Sequence, residues 1–174
     1  MGIKIGVLKE QSPHEHRVSI DPEVVKRLTK SGKKVFIENS AGSDANFFDV
    51  DYTAVGAEIV DRKTALTTTD IVVMIDMPDD ETLAALKDGQ VVIGLFNSLT
   101  IPAKIEMLAK KNVSVISMEL LPRTISRAQT MDVLSSQSSV AGYKAALIAS
   151  DLYPKYFPMM ITAAGTVKPE IGSA

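Results

Sequence analysis

Short apolar runs and amphipathic stretches take turns along the chain up to about residue 120. The alternation of apolar and small residues from Ile3 to Leu8 predicts a first strand, and "QSPHEH" breaks it into a loop. A helix follows, with Asp21 as its N-cap and Pro22 at the first helical position, where the missing N–H costs nothing. Val24, Val25 and Leu28 give that helix an apolar stripe, and Gly32 closes it. Lys33 to Asn39 predicts a second strand. The rhythm then repeats: a helical turn near Tyr52 to Gly56, a short strand at Glu58 to Val60, a strand at Ile71 to Ile75 and a helix from Asp80 to Lys87. A strand at Val91 to Phe96, a helix at Pro102 to Lys111 and a strand at Val113 to Ser117 complete it. Parallel strands need crossover connections and bury both faces, so this pattern predicts an α/β fold. The expectation is a doubly wound, mostly parallel sheet of Rossmann-like or flavodoxin-like type over residues 1–122, followed by a long connector helix.

The texture changes beyond it. Residues 123–138 are polar and hydroxyl-rich and read as a loop, and residues 139–174 as a connector helix and the start of a further subdomain. In that helix Leu134, Ala141, Ala145, Ile148 and Leu152 recur at helical spacing and form one apolar face, expected to pack as a connector on the first domain. The final stretch ends in small residues with no further strand-helix unit.

Composition narrows the function classes. The 174 residues hold no cysteine, so disulfides, thiolate nucleophiles and zinc-thiolate sites are excluded. With 19 basic and 21 acidic side chains, no tryptophan and no arginine-lysine stripe interleaved with aromatics, nothing suggests nucleic acid as a partner. No apolar run reaches the roughly 20 residues that span a bilayer, and the first residues lack a signal-peptide pattern. A reducing, intracellular compartment and a membrane role only through partners are the expectations.

The usual grips on a nucleotide are missing from these residues, which contain neither G-x-G-x-x-G nor G-x-x-x-x-G-K-S/T. His14 and His16 could turn two imidazoles toward a metal, but no third ligand is evident and no metal is expected. Arg17 follows the first strand at the edge where open α/β sheets bind ligands. There its guanidinium would either grip a carboxylate or form a surface ion pair. The densest chemistry lies in "RTISRAQTMDVLSSQ", Arg123 to Gln137. A primary amide such as nicotinamide offers donors and an acceptor that Gln129, Asp132 and Ser135 could match together. The simpler alternative makes Asp132 an N-cap, with Ser135 and Ser136 serving first-turn N–H groups.

"KEQSPHEHRVSIDPEVVKRL", "MELLPRTISRAQTMDVLSSQSSVAGYKA" and "FPMMITAAGTVKP" carry a resemblance over nearly the whole chain. They resemble the N-terminal part of the alpha subunit in proton-translocating NAD(P) transhydrogenases, within the alanine dehydrogenase and transhydrogenase superfamily. The resemblance implies hydride transfer from NADH to NADP⁺ coupled to proton translocation, with NAD(H) on this component and NADP(H) on a partner component. It assigns Gln129 and Asp132 to orienting the dihydronicotinamide, Ser135 to its carboxamide, and an arginine to the same site. The common pattern "PRISRAQ" is one residue shorter than "PRTISRAQ" here, so Arg123 and Arg127 both stand as candidates. Further implied are a missing NAD-binding subdomain, membrane proton-channel subunits, a homodimer, and a cytoplasmic position peripheral to the inner membrane.

Two other readings stand beside it. A catalytically silent binding or assembly module would keep the fold without the reaction, and the isolated chain is expected to be inactive. An alanine dehydrogenase-like amino-acid oxidoreductase is a poor fit, since Asp76 and Asn97 stand where those enzymes resemble one another in a lysine and a histidine.

Overall fold

The computed structural model describes residues 2–154 and 159–167, which divide into two compact units, Met1–Met131 and Asp132–Ala174. In the first unit, six strands form one sheet: β1 (Lys4–Val7), β2 (Lys34–Glu38), β3 (Glu58–Val60), β4 (Ile71–Val73), β5 (Val91–Gly94) and β6 (Ser114–Ser117). Their order is β3-β2-β1-β4-β5-β6 and every neighbouring pair is parallel. The chain winds outward from β1 in one direction and then, through β4, in the other. The topological switch therefore lies between β1 and β4.

Five helices cover this sheet: α1 (Pro22–Lys30), α2 (Asp49–Ala54), α3 (Arg62–Thr68), α4 (Asp80–Ala85) and α5 (Pro102–Lys110). Three begin in the same way: the carboxylates of Asp21, Asp61 and Asp79 each accept an N–H three residues on, at 2.7–2.8 Å. Val7, Val35 and Ile37 pack with Val25 of α1 and Tyr52 of α2 in one apolar layer. Leu8, Val72, Met74 and Val92 pack with Leu66 of α3, Leu83 of α4 and Leu108 of α5 in the other. Each fully buried side chain of this size contributes roughly 1.5–3 kcal/mol, so two closed layers hold the strand ends in place. Gly42 permits the turn after β2, where a Cβ would lie 2.7 Å from the Phe47 carbonyl oxygen and 2.8 Å from the Tyr52 hydroxyl.

The structure departs from the expected elements in four places. Helix α3 forms in the threonine-rich stretch after β3, where the periodicity gave no helix. The segment 123–138 is not a loop throughout, because Ser126–Gln129 form a short helix, α6, and α7 (Val133–Leu152) starts before residue 139. The anticipated apolar face of α7 is not buried, and the helix has no buried residue: Leu134 is half-buried, while Ala141, Ala145, Ile148 and Leu152 are exposed. The physical reason is local, since among the described residues the second unit adds to α7 only a small antiparallel hairpin, β7 (Met160–Thr162) with β8 (Gly165–Val167). That hairpin was not anticipated either. The remainder of the expected 139–174 segment falls on residues 155–158 and 168–174, outside the described residues.

Candidate functional site

At the switch between β1 and β4, the loop after β1 is tied down by carboxylates. Glu10 accepts from the backbone N–H groups of Ile75 at 2.7 Å and Asp76 at 3.1 Å, just past β4. Burial, with the charges of Asp76 and Glu15 nearby, holds its carboxyl above the usual range despite those two bonds. Glu38, at the end of β2, accepts from the Lys9 N–H at 2.8 Å and pairs with Arg62 at 3.0 Å. Arg62 also donates to the Lys9 carbonyl at 2.6 Å and the Thr82 hydroxyl at 3.2 Å. Gln11 and Asp79 exchange two hydrogen bonds, 2.8 and 3.0 Å long. Beneath these groups lies a pocket of about 250 Å³ floored by Leu8, Met74 and Met77. The Glu10 carboxylate and the Arg62 guanidinium that line it are spent on neighbouring backbone and side chains, which suits a rigid frame more than a ligand site.

Arg17 takes the ion-pair course. Its Nε donates to Glu15 at 2.8 Å and its terminal nitrogen reaches the other carboxylate oxygen at 2.5 Å. The guanidinium holds the Glu15 carboxyl below its ordinary range, and Glu15 raises Arg17 in return. Asp76 adds a negative charge on the same side. Asn97 follows β5 in a left-handed conformation with φ 50°. The Glu119 carboxylate accepts from the Phe96 and Ser98 N–H groups at 3.2 and 3.0 Å, and the hydroxyls of Ser98 and Ser117 hydrogen-bond to each other. His14 lies in a turn closed by Ser12, and among the described residues no group of three or more metal-ligating side chains converges.

The polar segment is organised differently, by short-range bonds within each unit. In the first unit the Gln129 side-chain amide donates to the Arg123 carbonyl at 3.1 Å across the turn of α6. One amide N–H and the amide oxygen of Gln129 are left for other partners. Arg127 is an exposed member of α6. In the second unit Asp132 caps α7, accepting from the Ser135 N–H at 3.0 Å and from its hydroxyl at 2.6 Å. The Asp132 cap of the simpler alternative is thus realised, but the Ser135 and Ser136 hydroxyls donate to the Asp132 carboxylate and the Val133 carbonyl instead of serving first-turn N–H groups. The Ser135 oxygen keeps its lone pairs to accept. Arg123, Gln129 and Ser135 are exposed, Asp132 half-buried.

Glu10, Arg62 and Glu119 organise the strand ends and were not singled out from the sequence. Each is an ordinary charged residue next to an apolar run, and its partners lie 20 to 66 positions away.

Comparison with known proteins adds the family. The model for "Alanine dehydrogenase/PNT, N-terminal domain" matches residues 6–141. The first component of the NAD(P) transhydrogenase alpha subunit of Rhodospirillum rubrum is 42% identical over 173 residues, covering 96% of this chain and 45% of that protein. Alanine dehydrogenase of Staphylococcus saprophyticus is more distant, 31% identical over 152 residues, covering 87% of this chain and 40% of that protein. A solved structure of transhydrogenase from Sinorhizobium meliloti superposes with a TM-score of 0.88 at 36% identity, over 94% of this chain and 49% of that one. The chain thus spans about half the length of the relatives it matches.

Proposed function

Since the chain belongs to the alanine dehydrogenase/PNT N-terminal domain family, we propose that it serves hydride transfer from NADH to NADP⁺ as the N-terminal portion of a transhydrogenase alpha subunit. The observation that carries this is the 42% identity to a transhydrogenase alpha-subunit component over nearly the whole chain, against 31% for an alanine dehydrogenase. Asp76 and Asn97 agree with it, because neither supplies the cation or imidazole that oxidation of an amino acid needs. In this reading residues 1–122 form the N-terminal subdomain, 123–138 the nicotinamide side, and 139–174 the connector toward an NAD-binding subdomain.

The nicotinamide supplies the hydride when bound, and the protein's role is placement and exclusion of water. Gln129 and Asp132 orient the ring, Ser135 accepts from the carboxamide N–H, and Arg123 or Arg127 steadies the segment or the ribose. NADP(H) sits on a partner component, and proton-channel subunits and a second copy of the chain complete the assembly. Among the described residues no helix is long and apolar enough to cross a membrane, so coupling to proton movement runs through those partners. The chain by itself is inactive in this reading and cytoplasmic, peripheral to the inner membrane.

Calorimetric titration of NADH into the 174-residue chain, and into the chain joined to an NAD-binding subdomain, tests this. The joined form is expected to bind with a Kd well below about 1 mM and to lose affinity on Gln129→Ala. Equal affinity of the joined form and its Gln129→Ala variant would overturn the assignment. Absence of binding by the joined form would favour the silent module.

A further inference from the structure

The side of α1 turned away from the sheet carries a concentration of positive charge that the hydride-transfer reading does not use. Lys26, Arg27 and Lys30 lie three, four and seven positions after Glu23, on one helical face, and all three are exposed. Lys33 and Lys34 follow the helix end, Lys34 exposed and Lys33 half-buried with its amine on the Ser31 hydroxyl at 2.9 Å. No acidic residue occurs from Val24 to Ile37, although acidic side chains outnumber basic ones in the chain as a whole. Among the described residues none of the five forms an ion pair. The acids at the margin are Glu23, one turn earlier, and Asp70, whose carboxylate accepts the Lys4 N–H at 2.9 Å beside the β1–β2 register pair Lys4 and Lys34.

Compensation of the helix dipole accounts for Arg27 and Lys30 in the last turn. It does not account for Lys26 before that turn, or for Lys33 and Lys34 beyond it. We propose that Lys26, Arg27, Lys30, Lys33 and Lys34 form an electrostatic contact for an anionic lipid surface. Four of the five are lysines, compact hydrated charges that suit a diffuse negative layer better than a bidentate carboxylate partner. Residues 23–34 include no aromatic side chain on which a base could stack, and no large exposed apolar side chain to anchor a protein interface. Such a contact would lay this chain directly on the membrane that its proposed partners span.

Co-sedimentation of the chain with phosphatidylcholine vesicles, with and without one-third phosphatidylglycerol, tests the contact without requiring hydride transfer or any partner subunit. Binding is expected only to the anionic vesicles, and to weaken sharply as salt is raised to about 0.15 M, where the screening length is about 8 Å. Each base neutralised is expected to lower partitioning about fivefold, in Lys26→Gln/Arg27→Gln/Lys30→Gln and separately in Lys33→Gln/Lys34→Gln. The double variant alters no helical residue and decides the matter if the triple one fails to fold. Equal binding to neutral vesicles, no binding at low salt, or folded variants that bind like the parent would overturn the proposal. Release from vesicles by poly-glutamate, with the chain held by that polymer at salt where vesicles no longer hold it, would assign the face to an acidic protein and likewise overturn it.

Discussion

Two polar regions of this chain use the same kinds of side chain in opposite ways. At the C-terminal ends of the strands, Glu10, Glu38, Arg62 and Glu119 bind groups distant in sequence, and they are half-buried. In the segment from Arg123 to Ser135 the Gln129–Arg123 and Ser135–Asp132 bonds join residues six and three positions apart, and the groups are mostly exposed. A long-range bond at a strand end fixes one loop against another, and losing it leaves a partner unsatisfied away from water. A short-range bond in an exposed turn sets the direction of a side chain at little cost to the fold. The first region is built to stay as it is, and in the proposed reading the second presents groups to a ligand.

Arg62→Ala should give the largest effect, because it removes three interactions at once and leaves the half-buried Glu38 carboxylate without its cation. A loss of about 3 kcal/mol in urea unfolding is expected, near the lower end for a broken, partly buried pair. A loss below about 0.5 kcal/mol would erase the distinction between the two regions. Gln129→Ala sits on the other side of the comparison. It should leave the unfolding midpoint nearly unchanged while lowering hydride transfer in the complete complex at least tenfold, equivalent to about 1.4 kcal/mol of transition-state binding. Equal losses of stability and turnover would make Gln129 a structural residue.

How much of this was legible in the sequence follows the same division. All six strands of the sheet and helices α1, α4 and α5 were legible, because inner strands such as β4 and β5 are continuous apolar runs and Pro22 and Pro102 mark helix starts. Helix α3 was not, because Arg62 to Thr68 holds only Ala65 and Leu66 as apolar residues among threonines, although Asp61 caps it as Asp21 caps α1. The hairpin of β7 and β8 was hidden because Met160–Thr162 is exposed throughout, so no core-facing alternation marks it. In the polar segment, local spacing gave the Asp132 cap. The carboxylate bonds at the strand ends could not be read, since Glu10 meets Ile75 only once β1 and β4 are neighbours.

The Glu10 bonds offer a smaller, pH-dependent test. The folded protein raises its carboxyl pKa, so the native state holds that proton more tightly than the unfolded chain. Its contribution is therefore most favourable below the ordinary carboxylate range and declines as pH rises through the raised value. Glu10→Gln keeps one acceptor for the Ile75 and Asp76 N–H groups, should cost about 1 kcal/mol, and removes the dependence. The stability difference between parent and variant should shrink as pH rises from about 4 to 7. A difference that grows over that range would contradict the raised pKa.

Asp132 is where the two kinds of role meet, and its smallest substitution separates them. Asparagine caps helices about as well as aspartate, so Asp132→Asn should change stability by a few tenths of a kcal/mol, whereas Asp132→Ala should cost about 1 kcal/mol by exposing the Ser135 N–H. If capping is all that Asp132 does, Asp132→Asn retains hydride transfer in the complete complex. If its charge orients the dihydronicotinamide, Asp132→Asn loses turnover while α7 keeps its helical signal in circular dichroism. The second result is expected, because the Ser135 hydroxyl donates to the carboxylate at 2.6 Å, and a carboxylate holds that hydroxyl as an acceptor toward a carboxamide. An amide in its place can offer its NH₂ group instead, and the Ser135 hydroxyl would then be free to turn its proton outward.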